Sequence, residues 1–360
     1  MDSSNSVITE LTIPSSVESI GSYAFEGCTS LTKITFEGTS RLTTIGGWTF
    51  RSCSNLVSIN GNLGNVTSLG SGVFQHDAKL VGSETDEKLS FPNVTVVPAS
   101  AFYGCSALKS VSFSKNLTEI ASSAFEKATK LTSFSFEDSL INIAARAFCD
   151  SGLSCSVKLG KNIGNIHSFC FARTKITSLD LSDCVKMPFV DDNVCLACTK
   201  LTSVSLPPNA NKIWGGAFEE CTSLTSFDFK GIQLIVGSRV FYNCLSLTNI
   251  TGVENITEIY SYAFTNCSNL SSITTSIPGE KMKKLTNVMD HAFSGCAALT
   301  LSGLSCFDWN KLTLGDYIFN KCSSLVNSEE NPLVLTDCTI SSLTFSGCPT
   351  LYVSLKKTTY

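Results

Sequence analysis

Apolar and polar residues alternate in short bursts that return at a fixed interval. In Leu31-Thr-Lys-Ile34-Thr-Phe36, Ile34 and Phe36 fall on one side and Lys33 and Thr35 on the other. That is the period-2 alternation of a half-buried strand. Pro14, Pro92 and Pro207 each follow such a burst and end it, because proline cannot donate to a ladder. A second apolar pair comes next, Val17 and Ile20 or Leu117 and Ile120, and predicts a short extended piece. Gly21, Gly46, Gly70, Gly237 and Gly315 stand just after it, where the chain is expected to turn. The segment Ala24-Phe25-Glu-Gly-Cys28 is then expected as a single helical or 3₁₀ turn that plugs its Phe into the core.

The whole frame repeats. Ile20 to Phe36 returns as Ile213…Ala217-Phe218-Glu-Glu-Cys221-Thr-Ser-Leu224-Thr-Ser-Phe227-Asp-Phe229, and again from Ile259 to Ile273. Anchored on the Phe, fourteen units centre on Phe25, Phe50, Phe74, Phe102, Phe125, Phe148, Phe171, Cys195, Phe218, Phe241, Phe264, Phe293, Phe319 and Phe345. From Phe102 to Phe264 the step is 23 or 24 throughout. Self-similarity at a short fixed period predicts a solenoid, in which each unit buries its apolar residues only against its neighbours. Such a repeat reserves no slot for an active site, so a non-enzymatic role is expected.

Charged residues are 16% of the 360, against a usual share of about 25%. Ser and Thr fill the remaining surface. With a net charge of −4 and no basic stripe, nucleic acid is excluded as the expected partner. The start, Met1-Asp-Ser-Ser-Asn-Ser-Val-Ile, lacks the basic and apolar regions of a secretory signal. No window reaches the 18 apolar residues of a membrane span. The sequence opens inside a unit and closes on a strand, Leu351-Tyr-Val353-Ser-Leu355. Either it is cut from a longer array or its end units are weakly capped, so the missing signal says little about location.

Cysteine is abundant and odd in number, seventeen in all. Ten (Cys28, Cys53, Cys105, Cys198, Cys221, Cys244, Cys267, Cys296, Cys322 and Cys348) fall three residues after the Phe or its substitute. Asp77, Ala128, Ser151 and Thr174 fill the same slot elsewhere. Stacked rungs lie roughly 4.8 Å apart, and parallel in-register Cβ vectors do not close to the ~3.8 Å of a disulfide. The ladder cysteines are therefore expected as buried free thiols acting as small hydrophobes. Cys149, Cys155, Cys170, Cys184, Cys195, Cys306 and Cys338 lie off the ladder and are free to pair or react.

The string I-G-x-x-A-F-x-x-C-x-x-L-x-x-I-x-F resembles the BspA-type, or Treponema pallidum-type, leucine-rich repeat, from Ile8 to Leu355. The resemblance implies a β-rich solenoid, a right-handed curved array of about fourteen units of roughly 23 residues. It places a parallel sheet on the concave face and irregular turns on the convex one. One solenoid over residues 1–360 is expected, with a partial unit at 1–19, a regular core at 97–275 and longer units at 277–360. The family setting implies a surface antigen that attaches to host-cell or matrix proteins. The absent signal and the free thiols keep an intracellular scaffold for protein–protein contacts open beside it. Cys195 in the Phe slot, Asp77 in the Cys slot and an extra residue between Leu153 and Val157 depart from the pattern.

The alternation gives the outward positions of the strands, and these are the candidate binding face. They include Lys33 and Thr35, Ser58 and Asn60, Ser110 and Ser112, Ser133 and Ser135, Ser178 and Asp180, Ser203 and Ser205, Ser226 and Asp228, and Asn249 and Thr251. Read functionally, this hydroxyl ladder is an extended surface for a protein or polysaccharide, weak per unit and strengthened by repetition. Read structurally, it is polar filler that stacks with its own kind. It lacks the aromatic and Arg anchors of protein hot spots. Three insertions, Val81–Lys88, Ile277–Lys284 and Asn327–Pro332, are loops able to carry recognition. His76, His167 and His291 occupy unrelated slots, and Cys195-Leu-Ala-Cys198 points both thiols inward. No metal, cofactor or catalytic set is expected from them, and no phosphate loop or G-x-S-x-G is present.

Overall fold

The computed structural model describes residues 7–348 and 350–358. The first six residues of the expected partial unit, with the N-terminal segment Met1–Ser6, lie outside the described residues. The chain divides into two compact stretches, residues 1–176 and 177–360, and each is a parallel β-solenoid with next to no helix.

Within residues 7–176, the L-x-x-I-x-F bursts form strands Glu10–Ile13, Lys33–Phe36 and Ser58–Asn60, paired in parallel and in register. Lys88–Phe91 pairs with Ser110–Phe113 in the same manner. The second apolar pair forms its own parallel row, Val96–Val97, Glu119–Ile120, Asn142–Ile143 and Asn165–Ile166. In residues 177–360 the second row is the longer one. Seven short strands run from Phe189–Val190 to Thr339–Ile340, while the first row is broken into short sheets. The pattern Lys-Ile-Thr-Phe at 33–36 alternates half-buried and buried, as the alternation requires.

The Ala-Phe segment is not a helical turn. Tyr23, two before Phe25, and Gly27, two after it, both have positive φ, at 63° and 71°. The same two slots are left-handed in unit after unit, as at Trp48 and Ser52, Ser123 and Lys127, and Tyr262 and Asn266. Tight turns result: Ala24 N–H donates to Gly21 O and Cys28 N–H to Phe25 O. The intervening amides instead reach the next rung, Tyr23 N–H to Gly47 O, Phe25 N–H to Thr49 O and Gly27 N–H to Arg51 O. A helix would bond those amides within its own segment. Left-handed backbone costs a non-glycine residue about 1 kcal/mol or more, and the third inter-rung ladder offsets it. The glycine after the second strand also has a different reason than a turn. At Gly70 a Cβ would stand 2.1 Å from the Gly47 nitrogen, so glycine there allows two rungs to approach.

The Phe slot forms the core. Phe25, Phe50, Phe74, Phe102, Phe125, Phe148 and Phe171 stack with centroid separations of 5.2 to 5.8 Å. Phe218, Phe241, Phe264, Phe293, Phe319 and Phe345 form a second column, opening to 6.3 Å at its last pair. Each offset-stacked pair contributes about 0.5–1.5 kcal/mol beyond its buried area.

Candidate functional site

In residues 177–360 the outward strand positions stand side by side in two pairs of rungs. Ser178 and Asp180 stand beside Ser203 and Ser205 in exact register. Ser226 and Asp228 stand beside Asn249 and Thr251. Leu179, Phe227 and Ile250 lie buried beneath them. The acidic members are engaged locally: Asp180 Oδ1 accepts from Ser182 N–H and Oγ–H at 3.0 and 2.7 Å, and Asp228 Oδ1 from Lys230 N–H at 2.8 Å. In residues 7–176, Ser110 and Ser112 pair with Lys88 and Ser90, and Ser112 Oγ lies 3.2 Å from Ser90 Oγ. Ser133 and Ser135 are exposed, but no strand forms at 131–136. The neighbouring rung carries the extra residue between Leu153 and Val157, and an offset of one residue breaks strand register.

Many hydroxyls serve the turns between strands. Thr32 Oγ1 donates to Thr9 O at 2.9 Å, Thr118 to Thr95 O at 3.1 Å, Thr202 to Thr177 O at 2.9 Å and Thr248 to Thr225 O at 3.0 Å. Each reaches the preceding rung. Much of the Ser and Thr content thus satisfies carbonyls that extended, non-helical rungs leave open.

No disulfide joins the described cysteines, and all of them are buried except Cys155, Cys338 and Cys348, which are half-buried. Ladder thiols donate to the Phe-slot carbonyl of the preceding rung, as Cys244 Sγ does to Phe218 O and Cys267 Sγ to Phe241 O, both at 3.1 Å. Burial pushes Cys244 up to about 12. Of the off-ladder set, Cys149, Cys170, Cys184, Cys195 and Cys306 are buried rather than available to react. Burial raises Cys149 and Cys306 to about 11 and Cys184 to about 12.

Glu126, Cys149 and Asp150 bring three possible ligand atoms within 4.8 Å of one another. Two guanidinium groups already serve them. Arg146 makes a bidentate pair with Glu126 at 3.0 and 2.6 Å. Arg173 makes one with Asp150 at 2.6 and 2.7 Å and lies 3.1 Å from Cys149 Sγ. Burial works against ionised Glu126, but its hydrogen bonds, Arg146 foremost, leave it below the ordinary value. The bond from Arg173 lowers Asp150. The cluster is an ion-pair network linking rungs.

Sequence reasoning missed the aromatic surfaces. Tyr262, His291 and Tyr317 share the left-handed slot before the Phe and stack at 4.8 and 5.0 Å. Lys212 Nζ lies 3.5 Å from the Trp214 ring centroid and 5.2 Å from that of Tyr260, with Phe189 edge-on to Trp214. Reading the slot two before each Phe as a column would have exposed the first group. The first insertion lies back on the strand row: Lys33 pairs with Glu84 at 3.0 Å, and Glu84 N–H donates to Asn60 Oδ1 at 2.8 Å. Lys33, Ser58 and Asn60 of the expected face are therefore engaged within the chain.

The model of the BspA type leucine rich repeat region, six copies, matches residues 3–90, 81–188, 189–326 and 277–359. The chain belongs to this family. Leucine-rich repeat families of this kind are generally protein-binding scaffolds without enzymatic activity. A leucine-rich repeat protein from Bacteroides ovatus aligns over 97% of this chain and 86% of its own, at 18% identity and a TM-score of 0.55. That likeness supports the fold. A leucine rich cell surface protein from Faecalibacterium prausnitzii aligns over 75% of this chain and 80% of its own, at 24% identity and a TM-score of 0.46. The pneumococcal vaccine antigen PcpA aligns over 98% of this chain and 80% of its own, at 14% identity and a TM-score of 0.47. No curated protein matches the chain. Among the described residues, no helix of the repeat is long and apolar enough to cross a membrane.

Proposed function

We propose that this leucine-rich repeat chain is a non-enzymatic adhesion-type protein of the cell surface that binds host-cell or matrix proteins along its strand rows. The observation that carries the reading is the polar row at Ser178/Asp180, Ser203/Ser205, Ser226/Asp228 and Asn249/Thr251. Two separate ladders hold these side chains in register, Ser178/Asp180 with Ser203/Ser205 and Ser226/Asp228 with Asn249/Thr251, so a long partner meets the same weak contact more than once and gains affinity by repetition. Family membership supports protein binding. The thiols favour a second reading, an intracellular scaffold, because a reducing compartment keeps cysteines unpaired.

Antibody labelling of intact and of permeabilised source cells separates the two. Labelling of intact cells supports the surface reading; labelling only after permeabilisation removes it. The face is tested by replacing Ser203, Ser205, Ser226 and Asp228 together with Lys. Folding is expected to survive, since none of the four is buried, and binding to plates coated with matrix protein is expected to fall. Unchanged binding would move the interface elsewhere.

A further inference from the structure

The step from Phe74 to Phe102 is 28, against 23 or 24 in the regular core, and the surplus has a definite place. Val81 N–H donates to Val57 O and Ile59 N–H to Gly82 O, both at 2.9 Å, so the chain enters this rung in the ordinary way. It leaves the row at Ser83 and returns at Lys88, where Lys88–Phe91 pairs with Ser110–Phe113. The two ends of the excursion meet. Ser83 N–H donates to Lys88 O at 3.2 Å, and a Cβ on Gly82 would stand 2.6 Å from the Lys88 nitrogen. Without residues 83–87 the step would be 23, with Gly82 next to Lys88. The five residues are a loop grafted onto a complete rung.

This loop lies over the strand row. Lys33 Nζ donates to Glu84 Oε2 at 3.0 Å and Ser58 Oγ to Glu84 Oε1 at 3.3 Å, while the Glu84 main-chain N–H donates to Asn60 Oδ1 at 2.8 Å. At the other end Lys109 Nζ donates to Glu87 Oε2 at 2.6 Å. Ser58 is left 4% exposed, whereas Ser203 and Ser226, in the same strand position, are exposed. Residues 83–87 hold three acids and no base, and the two lysines that receive them are themselves partly open to solvent. Exposed pairs of this kind hold weakly, so the loop is a displaceable occupant. A cavity of about 320 Å³, lined in part by Asn62, Thr85, Lys88 and Ser90, stays open beside it. The loop spans the row without filling it.

We propose that the row at Lys33, Ser58 and Asn60 binds an extended acidic segment of a partner protein, and that the loop at 83–87 is its built-in competitor. The chain's own loop shows the chemistry the row accepts. One carboxylate meets Lys33 and Ser58, a peptide N–H meets Asn60, and a second carboxylate meets Lys109. A partner supplies the same groups once the loop is displaced, while Gly82 and Lys88 keep the ends of the loop together. The acceptor at Asn60 Oδ1 takes a main-chain N–H, which favours a peptide over a sulfated polysaccharide, whose sulfates answer only the lysines. The docked loop lowers the partner's apparent affinity in proportion to the fraction of molecules whose row is free. The site stands on rungs other than those of the polar row at 178–251, so either stands if the other fails.

The test compares the full chain with a variant lacking residues 83–87, in which Gly82 is joined to Lys88. The probe is a fluorescein-labelled, end-blocked peptide of residues 82–88, followed by anisotropy at low salt. Saturable binding to the loopless variant is expected, about tenfold or more tighter than to the parent. Adding Lys33→Glu to that variant should abolish it, as should glutamine in place of both peptide glutamates, and added salt should weaken it. Alanine at Ser203, Ser205, Ser226 and Asp228 should leave peptide binding unchanged, which separates this site from the polar row. Circular dichroism and the urea midpoint check that the loopless variant folds. If it does not, Glu84→Gln with Glu87→Gln in the intact loop frees the same lysines and takes the same titration. Equal binding to the parent and to the freed chain, or no saturable binding up to about 1 mM, overturns the proposal. So does binding of a heparin fragment but not of the peptide.

Discussion

Asp77 occupies a slot that ten rungs fill with cysteine, and its carboxyl is fully buried, with the Cys53 backbone N–H the one group that favours its charged form and no side chain paired with it. Burial holds its proton well above the usual carboxylate range. Replacing it with Cys should stabilise the protein. The new thiol can donate to the Phe50 carbonyl, as Cys53 does to Phe25 O at 3.2 Å and Cys105 to Phe74 O at 2.9 Å. An unsatisfied neutral carboxyl costs about 1–3 kcal/mol at any pH. A second cost depends on pH. The unfolded chain releases this proton near 3.8 while the folded chain keeps it. Stability is therefore fullest below 3.8 and falls as pH rises, by about 1.4 kcal/mol per pH step, until the folded-state value is reached. At pH 7 Asp77→Cys should gain at least about 2 kcal/mol, and at pH 3 only the pH-independent part. Urea unfolding of the parent, Asp77→Cys and Asp77→Asn at pH 3, 5 and 7 measures both parts. Other titrating groups cancel in the differences when they lie far from the site. A gain that does not widen with pH, or a loss at pH 7, would show that the carboxylate has a partner and would refute the reasoning.

Phe218→Ala should cost about 3–5 kcal/mol and Phe345→Ala clearly less, because Phe218 is fully buried while Phe345 is half-buried at the loose end of its column; equal losses in urea melts would argue against stacking as the source of stability. Arg146→Ala strands the buried Glu126 carboxylate, and a loss of about 2 kcal/mol is expected, less than for a fully buried pair because Arg146 is 42% exposed. Since Glu126 is held below its ordinary 4.5, that contribution is present above pH 4.5 and is lost as pH falls through the folded-state value, so the gap between the two melts should close in acid. Titration with a thiol reagent should reach at most Cys155, Cys338 and Cys348 quickly in the native protein and all seventeen after denaturation; fast reaction of more than three would mean that the ladder opens.

The inward half of the fold was legible because the same residue types return to the same slots. Phe25, Cys28, Leu31 and Ile34 are each fixed by contact with their own counterparts one rung away, so their spacing alone carries the structure. The left-handed pairs were not read, although Gly27, Gly104, Gly295 and Gly347 mark the slot two after the Phe. Elsewhere in that slot Ser52, Lys127 and Arg173 conceal it, because the inter-rung bonds, not the residue type, enforce the conformation. The aromatic stack of Tyr262, His291 and Tyr317 was hidden for a related reason: each residue looks unremarkable until positions 29 and 26 apart are placed side by side. The docking of Glu84 on Lys33 spans 51 residues, and no local pattern encodes it.

In a repeat of this kind, agreement with the frame reports on folding and departure from it reports on something else. The regular slots repay inspection as stability: stacked Phe, thiol to carbonyl, Thr to carbonyl. Asp77 departs by placing a carboxyl where burial opposes its charge and only a backbone N–H favours it. Ser302–Leu304 departs by giving up a strand, and what it leaves is a cleft lined by Leu304, Phe307 and Trp309. The two departures differ in a way that decides where to look for recognition. Asp77 is sealed inside and can only tune the stability of its own rungs. The break at 302–304 leaves Leu304, Phe307 and Trp309 lining an open cavity, so what it changes is a surface and not a sealed slot.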